Sequence, residues 1–515
     1  KIPGKPSTVR RRKKLTADQR KVRAQLLTER KLAKEKRRLI DKEQRETEKT
    51  KRIRDGFVSI FNPLELDTLA KKTGFIKKRG ELTAIAFVYI VSFGFLGNGQ
   101  IALSYLTVGL SKHFNISISP QALSKRINSL GSVKLLKATL NKLLEIQLEL
   151  GLKNKFSETF SMFTGVFLQD SSQCELNEML SKPFKGSGGG ASTSALKLDF
   201  IYDIANLLVR GMKLSSGSTN DQTNTKEILK YIKSGSLVLR DLGYFTVDVL
   251  KCIEGKGAYY LSRLSIKMNV YLNKDDKDPV NIVQHLKMLK SQGQDPSSIK
   301  VYIGKNERFE TRLVAEKVPK KVIEQRKARY RKDRKKTPSN SYIEWCGYSI
   351  FITNIPEGMF SGAMILALYK IRWQIELVFK NFKSNLEIDV LKGTNKHRIE
   401  TLVYGKLITI VTLFIIQNYA AHSSNDLEIS GDKLTKYLIS DNRLREAVIN
   451  DEIPMLLIIM EHELPLICKQ KRKRKTTFEE VNHILKMEDF CKNAKTNSNG
   501  TVDEINDNNP LEKVA

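Results

Sequence analysis

Cysteine is scarce and placed for neither cross-linking nor metal binding. Cys174, Cys252, Cys346, Cys468 and Cys491 are scattered, odd in number and nowhere at zinc-ligand spacing. That excludes a disulfide framework or a zinc module and points to a reducing cytoplasm. Six isolated histidines add no metal cluster. Apolar runs are short: "LTAIAFVYIVSFGFLG" (82–97) falls below the ~20 residues of a bilayer span and reads as a buried helix, and "LITIVTLFIIQ" (407–417) is shorter still. No membrane association is expected. The opening "KIPGKPSTVRRRKK" lacks the apolar segment of a secretory signal. The Gly/Ser-rich "KGSGGGASTSA" (185–195) lacks a Gly-Lys-Ser/Thr ending, which excludes a nucleotide P-loop and leaves a flexible hairpin connection. Acid is in short supply too: 56 Asp or Glu face 89 Lys or Arg, a formal charge of +33. So large an excess seeks a polyanion, and without a membrane segment that polyanion is nucleic acid.

What is present divides by texture, and 515 residues are enough for about three or four domains. Residues 1–55 are a basic helical arm; the first 54 hold 22 Lys or Arg against 7 Asp or Glu. Residues 56–160 read as a helical DNA-binding domain. Within it "ISISPQALSKRINSL" (116–130) predicts Ser119 as an N-cap and Pro120 at the first helical position. Gln121, Ser124, Lys125, Arg126 and Asn128 follow, either on a recognition helix for a major groove or on an ordinary surface helix. Residues 161–271 alternate as β-ββ-α-β-α-β, an α/β pattern. In that order "NTKEILKYIKSG" is a helix, and "AYYLSRLSIKMNVYL" one strand. Residues 272–362 are a β-rich insertion with a basic stretch, "KKVIEQRKARYRKDRKK" (320–336), in which Arg326, Arg329 and Arg331 are candidate phosphate contacts. Residues 363–390 carry a core helix, 391–475 are helical and end in the basic knot "KQKRKRK" (469–475), and 476–515 read as a largely disordered tail.

Two apolar strands end in an acid: "GVFLQDSS" in Asp170 and "SLVLRDLGYF" in Asp241. A third acid comes from "YKIRWQIELVFKNFK" (369–383). At about 100° per residue, Tyr369, Arg372, Glu376 and Lys383 share one narrow helical face, with Ile371, Ile375, Val378 and Phe382 on a separate apolar stripe. Groups beyond strand ends of an α/β sheet project into the crevice where ligands sit. Neighbouring strands would bring Asp170 and Asp241 close enough to share divalent cations, with Glu376 completing a hard oxygen set that selects Mg²⁺ or Mn²⁺. Such a set runs two-metal displacement at phosphorus. Taken singly, Asp241 reads equally as a turn residue, Asp170 as a cap, and Glu376 as a partner of Arg372.

The spacing Tyr369, Arg372, Glu376, Lys383 resembles the Tyr-Arg-Glu-Lys signature of bacterial DDE transposases in the insertion-sequence-4 family. "FLQDSS", "VLRDLGYF" and "FITNIP" followed by "LYKIRWQIELVFKNFKS" are similar to that family's runs into its three acids. Over about residues 160–420 the resemblance implies a ribonuclease H-like catalytic core interrupted by a β-rich insertion, between helical N-terminal and C-terminal regions. It further implies that Asp170, Asp241 and Glu376 are the catalytic, metal-binding triad for two Mg²⁺ (or Mn²⁺) ions. Tyr369, Arg372 and Lys383 would hold phosphates of the transposon end, and a homodimer would pair two ends of double-stranded DNA near the nucleoid. Cut-and-paste through a hairpin calls for a flipped base held by an aromatic ring. Trp345 is the candidate, against burial in the insertion's own core; Trp373 is expected to pack. The alternatives are a ribonuclease H-like nuclease and a domesticated, catalytically silent DNA-binding protein.

Overall fold

In the computed structural model the chain divides into two compact units, residues 1–57 and 58–515. The structure describes residues 61–468 apart from 79, 96–100, 151–159, 189–191, 294–297, 424–429 and 451, with a few isolated residues toward either end. The basic knot lies outside the described residues, as do nearly all of the arm and the tail.

The second unit begins with helices α1 (Pro63–Lys72), α2 (Ala84–Phe93), α3 (Leu103–Phe114), α4 (Pro120–Ile127) and α5 (Leu130–Glu149). Side-chain caps set their starts. Asn62 accepts from the amides of Leu64 and Glu65 ahead of Pro63, and Ser119 accepts from Ala122 ahead of Pro120. A capping oxygen satisfies first-turn amides that lack helical partners, and proline at the first position has none to satisfy. The apolar run forms α2, buried along nearly its whole length.

Nine strands make one sheet: β1 (Val166–Glu175), β2 (Ala195–Asp203), β3 (Leu208–Ser216), β4 (Leu237–Arg240), β5 (Tyr259–Arg263), β6 (Val270–Tyr271), β7 (Ser298–Ile303), β8 (Phe309–Lys317) and β9 (Tyr348–Thr353). Their spatial order is β3-β2-β1-β4-β5-β9-β8-β7-β6. β1, β4 and β5 run parallel, with α6 (Val247–Gly255) between the last two; every other pairing is antiparallel. The β-type runs after residue 272 thus extend the same sheet, because β9 pairs on β5. Helices α7 (Ile282–Ser291), α8 (Lys320–Arg334) and α9 (Asn340–Cys346) lie between these strands in sequence.

Three local expectations are corrected. The stretch expected as one helix before β4 is a short α turn, Asp221–Asn224, then a 3₁₀ turn, Thr225–Lys230. Thr225 is held there by its hydroxyl, which donates to the Tyr244 carbonyl and accepts from Arg240, so tertiary bonds override helix propensity. "AYYLSRLSIKMNVYL" is two strands, separated by a turn in which the Met268 amide bonds back to Ser265. The stretch through Arg372 is two helices, α10 (Gly362–Lys370) and α11 (Trp373–Leu386). At the break the amides of Ile371 and Arg372 bond three residues back, to Leu368 and Tyr369, the tighter 3₁₀ pattern.

Helix α12 (Lys396–Ser423) is the one helix among the described residues long and apolar enough to cross a membrane, yet 89% of its most apolar window is buried in the fold. It packs on α2, α5 and β3. The crossing with α2 is close because residue 405 is glycine: a Cβ there would stand 2.6 Å from the Val91 carbonyl oxygen. Thr409 donates to the Ser92 carbonyl at the same crossing. Helices α13 (Gly431–Ile439), α14 (Arg443–Ile449) and α15 (Ile453–Cys468) follow.

Helix α11 ends at Glu387, in left-handed backbone, and the buried ammonium of Lys406 donates to the carbonyls of Glu387 and Val390. Burial pushes this amine down to about 8. Lys406→Ala strands two carbonyls, so we expect it to lower the unfolding free energy by about 2 kcal/mol. The measurement is a fall in urea midpoint at unchanged slope.

Candidate active site

β1 and β4 run side by side up to the pair Leu168–Leu239, and each chain carries its acid two residues further on, Asp170 and Asp241. β1 does not end at Asp170 as its sequence implied. It continues to Glu175 because β2 pairs with it throughout, while β4 stops at Arg240. Asp170 therefore stands inside a strand, just past the point where its parallel neighbour leaves. Across the β1–β2 ladder it faces Phe200, so the two side chains share a face of the sheet. Phe200 packs against Phe379 and Phe382 of α11, at ring-centroid distances of 5.8 and 5.5 Å. That contact seats α11 over the Asp170 face and brings Glu376 to the acids.

Arg372 joins them. Its Nη2 donates to Glu376 Oε1 at 2.6 Å, and its Nε stands 3.8 Å from Asp241 Oδ1. Asp170 feels the same guanidinium and both other carboxylates. Its carboxyl is pushed up to about 6, chiefly by burial, with Asp241 and Glu376 adding to the rise; the Ser171 amide and Arg372 oppose it. Two carboxylates, from the end of β4 and from α11, thus pair with one cation whose field reaches the third, on β1. Among the described residues no three His, Cys, Asp or Glu side chains stand close enough to hold an ion as they lie. The donor set nevertheless fits a hard divalent cation: it is all oxygen, partly desolvated and mutually repulsive.

The other singled-out residues fall into two groups. Lys383 reaches the Gln173 carbonyl at the far end of β1, at 3.3 Å. Lys125, Arg329 and Arg331 are exposed, Arg329 with Asp333 3.6 Å away. Tyr369, by contrast, is buried, and its hydroxyl donates to the Arg240 carbonyl at 3.2 Å, tying α10 to the end of β4. Burial pushes this phenol up to about 12. The break at Ile371–Arg372 is why it leaves the open face that an unbroken helical wheel gives it. Arg126 donates to the Phe75 carbonyl and lies over its ring. Arg326 donates to the carbonyls of Cys346 and Tyr348 and to the Ser349 hydroxyl. Trp345 is half-buried against the apolar cluster of β5–β9. Trp373 is corrected: it is 56% exposed at the start of α11, beside Arg372, because Ile375, Phe379 and Phe382 take the buried face.

A layer on the opposite face of the sheet escaped sequence reading. Gln169 donates to Asp199 and to the Asn224 carbonyl, and Tyr244 donates to Asp199. Arg240, fully buried, donates to the Thr225 hydroxyl. These residues flank Asp170 and Asp241 in the chain and fix the strands that carry them. The available signal was "LKLDF", a central strand with Lys197 and Asp199 at alternate positions.

Residues 162–412 match the transposase DDE domain family. The transposase for insertion sequence element IS231B of Bacillus thuringiensis subsp. berliner is 28% identical over 464 residues, 84% of this chain and 96% of that protein. The transposase for IS1151 of Clostridium perfringens is 26% identical over 379 residues, 70% of this chain and 80% of that protein. Among solved structures, the piggyBac transposase synaptic complex with hairpin DNA covers 82% of this chain and 86% of its own, at 11% identity and a TM-score of 0.41, a likeness too remote to define the fold. Family match and relatives converge on one class, an enzyme that cleaves DNA and transfers the cut strand. Residues 162–412 thus carry a transposase DDE domain, and the relatives along the chain are bacterial transposases. That family binds DNA and depends on divalent cations.

Asp170 has a folded-state value near 6 against about 3.8 unfolded, so its burial favours the folded state only below about pH 4 and loses that advantage as pH rises through 6. In metal-free protein at pH 7.5, Asp170→Asn is therefore expected to be the more stable chain by about 1–2 kcal/mol. Urea titrations at pH 7.5 and pH 4 should show the gap and its disappearance.

Proposed function

We propose that this transposase moves an insertion sequence by cut-and-paste, with Asp170, Asp241 and Glu376 holding two Mg²⁺ (or Mn²⁺) ions. The supporting observation is that Asp170 and Asp241 stand level where two parallel strands part, with Glu376 joined to Asp241 through Arg372. The catalytic core is read as ribonuclease H-like, since the order β3-β2-β1-β4-β5 has its last three strands parallel and its first two antiparallel. On that reading β7, β8 and β9 with α7, α8 and α9 are an insertion of about residues 272–362.

Bound ions would activate water and then a freed 3′-hydroxyl, and would stabilise the leaving oxygen. The residues around them position the strand. Lys383 supplies a point charge for a phosphate near the end of β1, and Arg372 a planar fork that grips phosphate bidentately. Tyr369 serves by fixing the end of β4, on which Asp241 stands. Forming a hairpin from the cut end requires a base out of the stack and an aromatic face to hold it. Trp345 is the ring we assign. The exposure of Trp373 beside Arg372 makes it the second aromatic within the same reading. Lys125 on α4, Arg329 and Arg331 on α8, and the basic arm supply charge for the rest of the DNA. Synapsis of two ends takes a homodimer, in the cytoplasm where the nucleoid lies.

The test uses labelled element ends with Mg²⁺ on a denaturing gel, asking for nicks, hairpins and joined products. Asp170→Ala, Asp241→Ala and Glu376→Gln should each lose all three products while still shifting the DNA in a native gel. A pure nuclease yields nicks without joined product, and a silent DNA-binding protein yields neither. Lys383→Ala is expected to weaken end binding about tenfold or less, the worth of one charge-assisted contact, with its metal site intact.

A further inference from the structure

We propose that Arg372 is the internal counter-ion of the metal-free site: its guanidinium stands in for the divalent cations and must leave the carboxylates before they load. This rests on the triad reading above and concerns what the site does before DNA and metal arrive.

The geometry carries it. Arg372 bridges two of the three acids at once, 2.6 Å from Glu376 and 3.8 Å from Asp241, and its field reaches the third. Its side chain is only 16% exposed, so this is not a loose surface pairing. Glu376 is one helical turn on from Arg372, so the pair forms within α11 without DNA. Asp241 reaches the same cation from the end of β4. No other cation forms an ion pair with Asp241 or Glu376 among the described residues. Lys383, on the same helix, is occupied at the Gln173 carbonyl. Arg263 lies over the Tyr369 ring, 5.6 Å from its centroid.

Two consequences follow. Without ions, the guanidinium offsets repulsion among the acids and lets the site stay assembled. When carboxylates turn to a divalent cation, the same guanidinium is repelled by it and freed toward the solvent side, where Trp373 is exposed. A strand phosphate is then the anion available to it. Metal loading and strand capture are thereby coupled through one side chain, because each favours the same displaced position.

The experiment is calorimetric titration of Mn²⁺ into the full chain without DNA, with thermal melting alongside. Arg372→Gln should bind Mn²⁺ about tenfold more tightly than the unaltered protein, since no cation has to be displaced. The same variant should melt lower without metal and gain more on adding it. Arg372→Lys keeps the charge but cannot span two carboxylates, so it should fall between, and it carries the test if the glutamine variant does not fold. Unchanged or weaker Mn²⁺ affinity in both variants, with Asp170→Asn still abolishing binding, would overturn the counter-ion role and leave the triad standing. Mn²⁺ binding that is indifferent to Asp170→Asn would overturn the triad itself.

Discussion

Three carboxylates held near one another repel, and the fold has to sustain that arrangement against its own electrostatics. Much of the molecule's architecture can be read as the means of doing so. β1 and β4 deliver two acids at one level because a parallel ladder keeps its strands in step until β4 stops. The third acid does not stand on a strand of the sheet. It comes from a helix laid across the sheet, and Arg372, at the start of that helix, arrives with it. A lysine there would supply charge but not the planar fork that reaches two carboxylates at once.

Holding α11 in place is a packing problem. Phe200, Phe379, Phe382 and Phe414 form a contiguous aromatic group linking β2, α11 and α12. Aromatic pairs at these separations contribute beyond their buried area, and truncating one such ring in a core costs roughly 3–5 kcal/mol. Lys406 fastens the chain just past the other end of α11, through the carbonyls of Glu387 and Val390. α12, which supplies both Phe414 and Lys406, is in turn wedged against α2 and α5. Glu376 is thus positioned by contacts spanning most of the second unit, and a small displacement of α12 would be felt at the acids because a densely packed interior transmits strain.

How much of this the sequence disclosed follows the range of the interactions. Local signals were legible: the Asn62 and Ser119 caps, the buried apolar run at α2, and the two short hydrophobic strands before Asp170 and Asp241. The helical wheel of 369–383 grouped Arg372, Glu376 and Lys383 correctly on one side, since a helix is a local object. It misplaced Tyr369, because a 3₁₀ turn at Ile371 shifts the phase and periodicity alone does not reveal such a turn. Trp373 was misread through composition: a tryptophan was expected to be buried, but three better-placed apolar residues already filled the core face. Arg126 looked like a DNA contact because it follows the Ser119 cap on a candidate recognition helix, and Arg326 because it lies in a basic stretch, yet both guanidinium groups bond to backbone carbonyls of distant segments. Charge runs report a mean field and not which members of the run are already occupied. The polar layer of Gln169, Asp199, Arg240 and Tyr244 was unreadable because its partners lie from 15 to 55 residues apart.

The formal excess of +33 and the acidic site also belong to one design problem. A strongly basic surface draws polyanion at long range, while the three carboxylates of the proposed reaction centre repel it at short range. On the proposed assignment, a strand approaching the bare triad would meet net negative charge where its scissile phosphate is to sit. Arg372 lowers that barrier in the metal-free state, because the guanidinium leaves the triad one charge less negative. The strand is thereby tolerated near the centre, while productive seating still awaits cations that neutralise the acids more fully. A site built on carboxylates alone would gain metal affinity but would repel its substrate whenever it was unloaded, and a site with a second permanent cation would hold DNA without needing metal. One arginine, shared between two acids and able to turn to phosphate, falls between these extremes.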